Sequence, residues 1–216
     1  MASLFVNFPR KKKIMNKIMA CFLVFAGVCL FPYFVLADEI SEDPINGAVV
    51  AISPDHHWMA LVEPLKNQKI SESCDVLLAD NNAVDQIWLY DLKRPNKLLL
   101  VPPNFDCDAP KKVIVSIDRI QFSLDSKKLY FETSAWAVSG ALHSVNLDGS
   151  HLNYIAPSNN FYLISKGLYA GDLVIDQHRY YIPLGSFDEY WAFTPGGKEL
   201  GPIGPDLRNF ESERSS

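Results

Sequence analysis

The stretch that decides the fold is Ala51-Ile52-Ser53-Pro54-Asp55-His56-His57-Trp58-Met59-Ala60-Leu61-Val62. The same pattern returns 70 residues later as Gln121-Phe122-Ser123-Leu124-Asp125-Ser126-Lys127-Lys128-Leu129-Tyr130-Phe131-Glu132. In both stretches an apolar residue precedes Ser, Asp follows two residues on, and polar turn residues lead into an apolar triplet. Asp with polar neighbours favours a tight turn, because its carboxylate accepts hydrogen bonds from local amides. The flanking apolar residues favour strands, so the two stretches predict equivalent β-hairpins.

A weaker third copy is Leu173-Val174-Ile175-Asp176-Gln177-His178-Arg179-Tyr180-Tyr181-Ile182, with Asp176 lying 51 residues after Asp125. Each copy is followed by an apolar strand that ends in an acidic or glycine-containing turn. These segments are Ile87–Leu92, Leu142–Gly149 and Tyr190–Gly197. Val113–Ile117 has the composition of a further strand. No stretch keeps a helical apolar period over three turns, so an all-β domain is predicted.

These repeats resemble the WD40-like propeller repeats of the TolB type, which also occur in the propeller domains of prolyl oligopeptidases. The best matches to the hallmark turns are Ser53-Pro54-Asp55 and Leu147-Asp148-Gly149. Three residues replace the glycine expected after the turn aspartate: His56, Ser126 and Gln177. The resemblance implies antiparallel propeller blades over residues 38–207. The polar composition of residues 208–216 predicts a flexible tail.

Three repeats are fewer than the four to eight blades of closed propellers. The chain is therefore an open arc, a ring completed by oligomerisation, or a propeller with a degenerate blade between Leu65 and Asp85. In an open arc the outer sheet faces would be apolar and uncovered. Such faces predict self-association or a protein partner.

The first 37 residues have the order of a secretory signal peptide. A basic segment with Arg10 and Lys17 at its ends precedes an apolar run from Ile18 to Leu36, and a cut before Asp38 would follow Val35 and Ala37 at the −3 and −1 positions. An uncleaved membrane anchor is the alternative, because the run is close to the roughly 20 residues that span a bilayer. The start of the chain is Met1 or Met15. Both the signal peptide and the anchor predict a body in the periplasm or outside the cell. If the leader is cleaved, that body is not inserted in the membrane.

Charge and cysteine content change when the leader is removed. It holds five of the 20 Lys and Arg and none of the 25 Asp and Glu, so 15 basic residues face 25 acidic ones, a net charge of −10. This surface argues against nucleic acid and anionic lipid as partners. Cys74 and Cys107 remain. In an oxidising compartment their even number predicts a disulfide.

Motifs for chemistry are sparse. The sequence has no Gly-x-Ser-x-Gly elbow and no phosphate-binding glycine loop, so we expect no catalytic, cofactor-binding or metal-binding residues. The repeated aspartates Asp55, Asp125 and Asp176 are interpreted as turn formers. The histidines at 143, 151 and 178 are expected on the surface.

Trp136 is the candidate protein-binding residue, because Ser134–Gly140 has the composition of an irregular hairpin tip and loop aromatics often bind. The predicted function is an exported, non-enzymatic module that binds an envelope protein through its loops. The alternative is a small carbohydrate-binding protein or hydrolase. Its only local indication is Asp188 and Glu189 beside Tyr190 and Trp191.

Overall fold

The computed structural model describes residues 49–65, 84–104 and 109–207 of the 216-residue chain. The leader, the tail at 208–216, Cys74, Cys107 and the segment 66–83 lie outside these residues. The signal peptide, the disulfide and a degenerate blade after Leu65 therefore stay predictions. In the part of the chain that is described, no helix is long and apolar enough to cross a membrane.

Twelve strands in the described residues form three antiparallel sheets of four strands each, with neighbours in chain order. The first sheet contains β1 (Val50–Ile52), β2 (Trp58–Pro64), β3 (Asp85–Asp91) and β4 (Asn96–Val101). The second contains β5 (Arg119–Phe122), β6 (Lys128–Trp136), β7 (Ser139–Asn146) and β8 (Asn153–Ser158). The third contains β9 (Asn160–Leu163), β10 (Leu173–Tyr181), β11 (Gly185–Phe193) and β12 (Glu199–Gly204). Four-stranded up-and-down sheets are the blades of β-propellers, so the predicted all-β, propeller-like fold is confirmed.

The turn between β1 and β2 forms as its sequence predicts. The Ser53 hydroxyl donates to Asp55 Oδ1 at 2.6 Å and accepts from the Trp58 amide at 2.9 Å. Asp55 Oδ1 also accepts from the His57 amide at 3.0 Å. These bonds lower the pKa of Asp55, the serine bond contributing most. One serine and one aspartate thus satisfy the backbone donors that enter β2.

The turn between β5 and β6 repeats this network. The Ser123 hydroxyl donates to Asp125 Oδ1 at 2.7 Å and accepts from the Lys128 amide at 2.9 Å. The two turns also contact each other, since the Asp55 amide donates to Ser126 Oγ at 3.2 Å. The turn-forming roles predicted for Asp55 and Asp125 are confirmed.

The third predicted turn is wrong. Leu173–Tyr181 is a single strand, and Asp176 lies within it opposite Asn160. The turn before this strand is longer and closes with the Gly171 amide donating to the Ile164 carbonyl at 2.8 Å. The sequence misleads here because the apolar residues on both sides of Asp176 suit one continuous strand as well as two.

Val113–Ile117 is not a strand either, although its apolar side chains are buried. Only Ile114 makes an isolated bridge, to Asn104. Ser116 has a left-handed backbone (φ 48°), which interrupts an extended segment. The segment supports the second sheet, since the Ser134 amide donates to the Val115 carbonyl at 3.2 Å.

The second sheet is packed on both faces. Leu129 and Phe131 belong to one buried cluster with Ile87 and Leu89 of the first sheet. The neighbouring Tyr130 belongs to a second cluster with strands of the third sheet. This period of two along β6 is why the run Leu129-Tyr130-Phe131 is apolar throughout. Truncating a buried aromatic such as Phe131 to alanine would cost about 3–5 kcal/mol.

Candidate functional site

Trp136 lies at the end of β6, opposite Ser139, across a two-residue tip formed by Ala137 and Val138. The predicted hairpin tip is therefore confirmed. The indole is half-buried, and its edge contacts the Tyr154 ring with centroids 6.2 Å apart. A ring that is fixed on one side and accessible on the other is suited to binding, because little conformational entropy remains to be lost.

A cleft of about 260 Å³ opens beside Trp136. Its walls come from the end of β6, the start of β7 and the chain after β8. Gly140 lets these strands approach, because a Cβ there would lie 2.7 Å from the Thr133 carbonyl oxygen and 3.1 Å from that of Ser158. Any side chain at this position would force the strands apart and change the cleft.

Glu132 forms the inner wall of this cleft and is only 5% exposed. The Ser158 hydroxyl donates to Glu132 Oε1, and Arg119 Nε lies 3.6 Å from Glu132 Oε2. Burial raises the pKa of Glu132 to about 7 despite both partners. The carboxyl group therefore titrates near neutral pH.

Asp118 adds a second carboxyl group at the exposed rim of the same cleft. Desolvation by the surrounding protein raises its pKa, and the charge of Arg119 opposes that shift. Asp118 also contributes to the raised pKa of Glu132 by like-charge repulsion. The cleft therefore places two carboxyl groups next to an aromatic ring.

His143 lies behind the cleft, and the expectation that it is a surface residue is wrong. It is 1% exposed, and its ring stacks on Phe131 with centroids 5.2 Å apart. Its Nε2 is within hydrogen-bonding distance of Thr133 Oγ1, at 3.1 Å. Burial lowers the pKa of His143 to about 4, so the ring is neutral. The histidine faces inward because it lies directly opposite Phe131 in the β6–β7 ladder.

His151 is exposed, as expected, and His178 is half-buried. His178 Nδ1 lies 2.7 Å from Asp188 Oδ1, while Glu189 accepts from the Tyr181 hydroxyl at 2.7 Å. Asp188 and Glu189 thus engage separate partners on opposite faces of β11 and form no carboxylate pair. In residues 49–65, 84–104 and 109–207, no group of three His, Cys, Asp or Glu side chains is placed to hold a metal ion.

The hairpin of β10 and β11 is a second unusual feature. β9 pairs with β10 as far as Asp176, and β12 pairs with β11 from Tyr190. Beyond those residues the two strands continue as a ribbon paired to each other. At its tip Ile182 is 98% exposed and Leu184 is 74% exposed. A two-stranded ribbon with apolar residues at its end is marginally stable alone and gains from a partner.

Both tips connect the second and third strands of their sheets. They therefore lie at the same edge of the stack, by which we mean the side where these strands end. We call the exposed apolar residues at this edge, together with Trp136, the tip face. It consists of Trp136, Val138, Ile182 and Leu184. Sequence reasoning found Trp136 but missed Glu132 and Asp118, which come together only when β5 pairs with β6. The only signal in the sequence was Glu132, a single acidic residue directly after the apolar triplet Leu129-Tyr130-Phe131.

Comparisons with known proteins find distant structural similarity to β-propellers. No protein-family model matches the sequence, and no curated protein matches it. Solved β-propellers are similar to the chain at low identity. The propeller domain of the Trilobed protease from Pyrococcus furiosus, described as having an open velcro topology, is 15% identical with a TM-score of 0.43; the match covers 73% of this chain and 43% of that one.

Two further propeller-containing proteins give similar matches. TolB from Acinetobacter baumannii is 13% identical over 71% of this chain and 31% of its own, with a TM-score of 0.38. Dipeptidyl peptidase 4 from Porphyromonas gingivalis is 14% identical over 72% of this chain and 24% of its own, with a TM-score of 0.47. The chain spans less than half the length of each of these three proteins. Peptidases and TolB both occur among these matches, and the propeller-like fold of this chain is shown by its own sheet topology.

Proposed function

We propose that this chain is a non-enzymatic, propeller-type module that binds another protein through its tip face. The observation that carries the proposal is the concentration of exposed apolar side chains at two hairpin tips on one edge of the sheets. Ile182 is almost fully exposed to solvent, and Leu184 is about three-quarters exposed. Exposed apolar clusters of this kind mark interaction sites in soluble proteins, and loops on a rigid scaffold commonly carry binding.

Trp136 is the proposed anchor of the interface. Tryptophan is enriched among the residues that contribute most to binding, and contact with Tyr154 already orders this ring. The adjacent cleft adds specificity for charge. Glu132 and Asp118 both have raised pKa values because burial or desolvation disfavours their ionised forms. Asp118 is the exposed carboxyl group of the two, so a lysine or arginine side chain of the partner would pair with it, and the partner segment combines apolar and basic residues.

The compartment in this proposal is the cell envelope or the exterior. Its basis is the leader, whose basic, apolar and small-residue regions precede Asp38. Amino-terminal sequencing of the protein isolated from cells tests this point. A mature terminus at Asp38 supports export by a cleaved signal. An intact leader on membrane-bound protein would replace the signal with an anchor, and cytoplasmic protein would contradict export.

The binding proposal is tested by affinity isolation from envelope extracts with the chain as bait. Replacing Ile182 and Leu184 by serine should abolish recovery of a specific partner, because both residues would contribute buried apolar area. Leu124→Ser is the matched control, since Leu124 is an exposed leucine in the turn at the opposite edge. Equal recovery by all three forms of the bait would contradict binding through the tip face.

A carbohydrate-binding protein or hydrolase is the second candidate, and one observation favours it. Glu132 and Asp118 line a cleft next to Trp136, and glycosidases use paired carboxyl groups, one with a raised pKa. However, Ser158 and Arg119 already engage the two oxygens of Glu132. Calorimetric titration with oligosaccharides distinguishes the two functions. Binding that Glu132→Gln reduces and Ile182→Ser leaves intact would favour the carbohydrate function.

A further inference from the structure

The two ends of the stack of sheets are complementary. In the second sheet, one face packs on the first sheet through Phe122 and Leu129. The opposite face packs on the third sheet through Tyr130 and Leu142. In each sheet, we call the face that carries the residues equivalent to Phe122 and Leu129 the leading face. The opposite face is the trailing face. Each internal interface of the stack joins a leading face to a trailing face.

The outward face of the first sheet is a leading face. Ile52 and Met59 are paired across β1 and β2, as Phe122 and Leu129 are paired across β5 and β6. The positions differ by the 70 residues that separate the repeats. Phe122 is buried against a neighbouring sheet, whereas its equivalent Ile52 is 50% exposed. In the described residues no sheet packs against this face.

The same face carries aromatic residues on β3, and Lys97 Nζ lies 4.3 Å from the centroid of the Trp88 ring. Trp88 lies opposite Leu61, and Tyr90 lies opposite Met59. The equivalent residues of the second sheet are His143 opposite Phe131 and Val145 opposite Leu129, and all four are buried. Apart from Lys97, the first sheet therefore carries on its outward side apolar and aromatic side chains of the kind that a neighbouring sheet covers in the middle of the stack.

The outward face of the third sheet is a trailing face. Leu173 and Ile175 of β10 belong to the cluster shared with the second sheet, so Val174 points the other way, where it is 2% exposed. Tyr162 lies opposite Val174 on that outward side and is exposed. The equivalent of Tyr162 in the first sheet is Ala51, which packs into the cluster that contains Phe122. An Ile52 of a following sheet would thus meet Tyr162.

From this complementarity we propose that a second copy of this chain binds head to tail, its leading face on the trailing face of the first. The occupant is a second copy because the chain itself presents both halves of the interface that its internal sheets already form. A head-to-tail contact made twice closes a ring. Two copies of three sheets give six, within the four to eight sheets of closed propellers. This interface is separate from the tip face, so the two proposals fail independently.

The test is the mass of the full chain in solution, measured by analytical ultracentrifugation. We expect twice the mass of one chain. Ile52→Glu alone and Tyr162→Lys alone should each weaken the dimer at least about tenfold. The two substitutions combined in one chain should restore it, because residue 52 of each copy would meet residue 162 of the other as an ion pair. Leu124→Glu, on an exposed leucine away from both end faces, is the control and should leave the mass unchanged.

A monomeric unsubstituted chain would overturn the proposal, whatever the variants do. An assembly that grows beyond two copies would overturn ring closure. A dimer that both single substitutions leave intact, or that the combined variant does not restore although circular dichroism shows it to be folded, would place the interface elsewhere.

Discussion

His56 and Ser126 occupy the same position in turns 70 residues apart, and both have a left-handed backbone, with φ of 53° and 55°. The turn type therefore requires positive φ at this position whether or not glycine is present. A non-glycine residue in this conformation destabilises the folded protein by about 1–2 kcal/mol. Glycine avoids that cost, but it makes the unfolded chain more flexible, which lowers stability by about 0.5–1 kcal/mol.

His56→Gly should consequently raise the free energy of unfolding by up to about 1 kcal/mol. The measurement is chemical denaturation of both proteins under the same conditions. Ser126→Gly is the comparison, and it should gain less because it removes the hydrogen bond between the Asp55 amide and Ser126 Oγ. A lower stability of His56→Gly than of the unsubstituted protein would show that the histidine side chain contributes a contact worth more than the strain.

These turns explain which parts of the fold could be predicted. Ser53, Asp55 and their counterparts form local networks within five residues, so the sequence alone specifies the two hairpins. Asp176 could not be assigned correctly, because choosing between a strand and a turn there depends on pairing with Asn160 in another strand. Ser116 likewise adopts a left-handed conformation that no local motif indicates.

Glu132→Gln should change how stability depends on pH. The pKa of Glu132 is about 7 in the folded protein and 4.5 ordinarily, so folding favours its protonated form. The resulting stability is complete below about pH 4.5 and is lost as pH rises through about 7. Thermal unfolding between pH 5 and 8 should show the variant gaining stability relative to the unsubstituted protein as pH rises. Parallel profiles for the two proteins would contradict the burial of an ionisable group at this position.

His143→Phe should act in the opposite direction. Folding holds the pKa of His143 at about 4 instead of 6.5, so its contribution is complete above about pH 6.5 and is lost as pH falls through about 4. Phenylalanine keeps the stacking on Phe131 and cannot be protonated. Thermal unfolding should therefore show that the variant loses less stability than the unsubstituted protein on acidification. An unchanged acid sensitivity would mean that other groups dominate it.

Trp136→Ala should weaken partner binding by more than about 1 kcal/mol if the indole is an anchor. The substitution removes the contact with Tyr154 but leaves the β6–β7 ladder, so circular dichroism should remain unchanged. Binding measured by surface plasmon resonance with the isolated partner is the test. Full affinity in the folded variant would remove Trp136 from the interface.

The candidate site was only partly accessible to sequence reasoning. Trp136 was identifiable because a tryptophan in a short run of small residues is unusual for strand core. Glu132 and Asp118 were not, since their proximity depends on the β5–β6 register, in which Arg119 lies opposite Glu132. The sequence does not indicate the exposed apolar tip at Ile182, because its exposure follows from how far β9 and β12 extend beside it.

Site-specific photo-crosslinking in cells tests most directly whether the tip face binds another protein. A photoreactive amino acid would replace Ile182, and in a control Leu92, an exposed leucine in the turn at the opposite edge. We expect one discrete adduct with a different protein from position 182 and none from position 92. The same adduct from both positions, a product with a second copy of this chain from position 182, or no adduct there would contradict the claim.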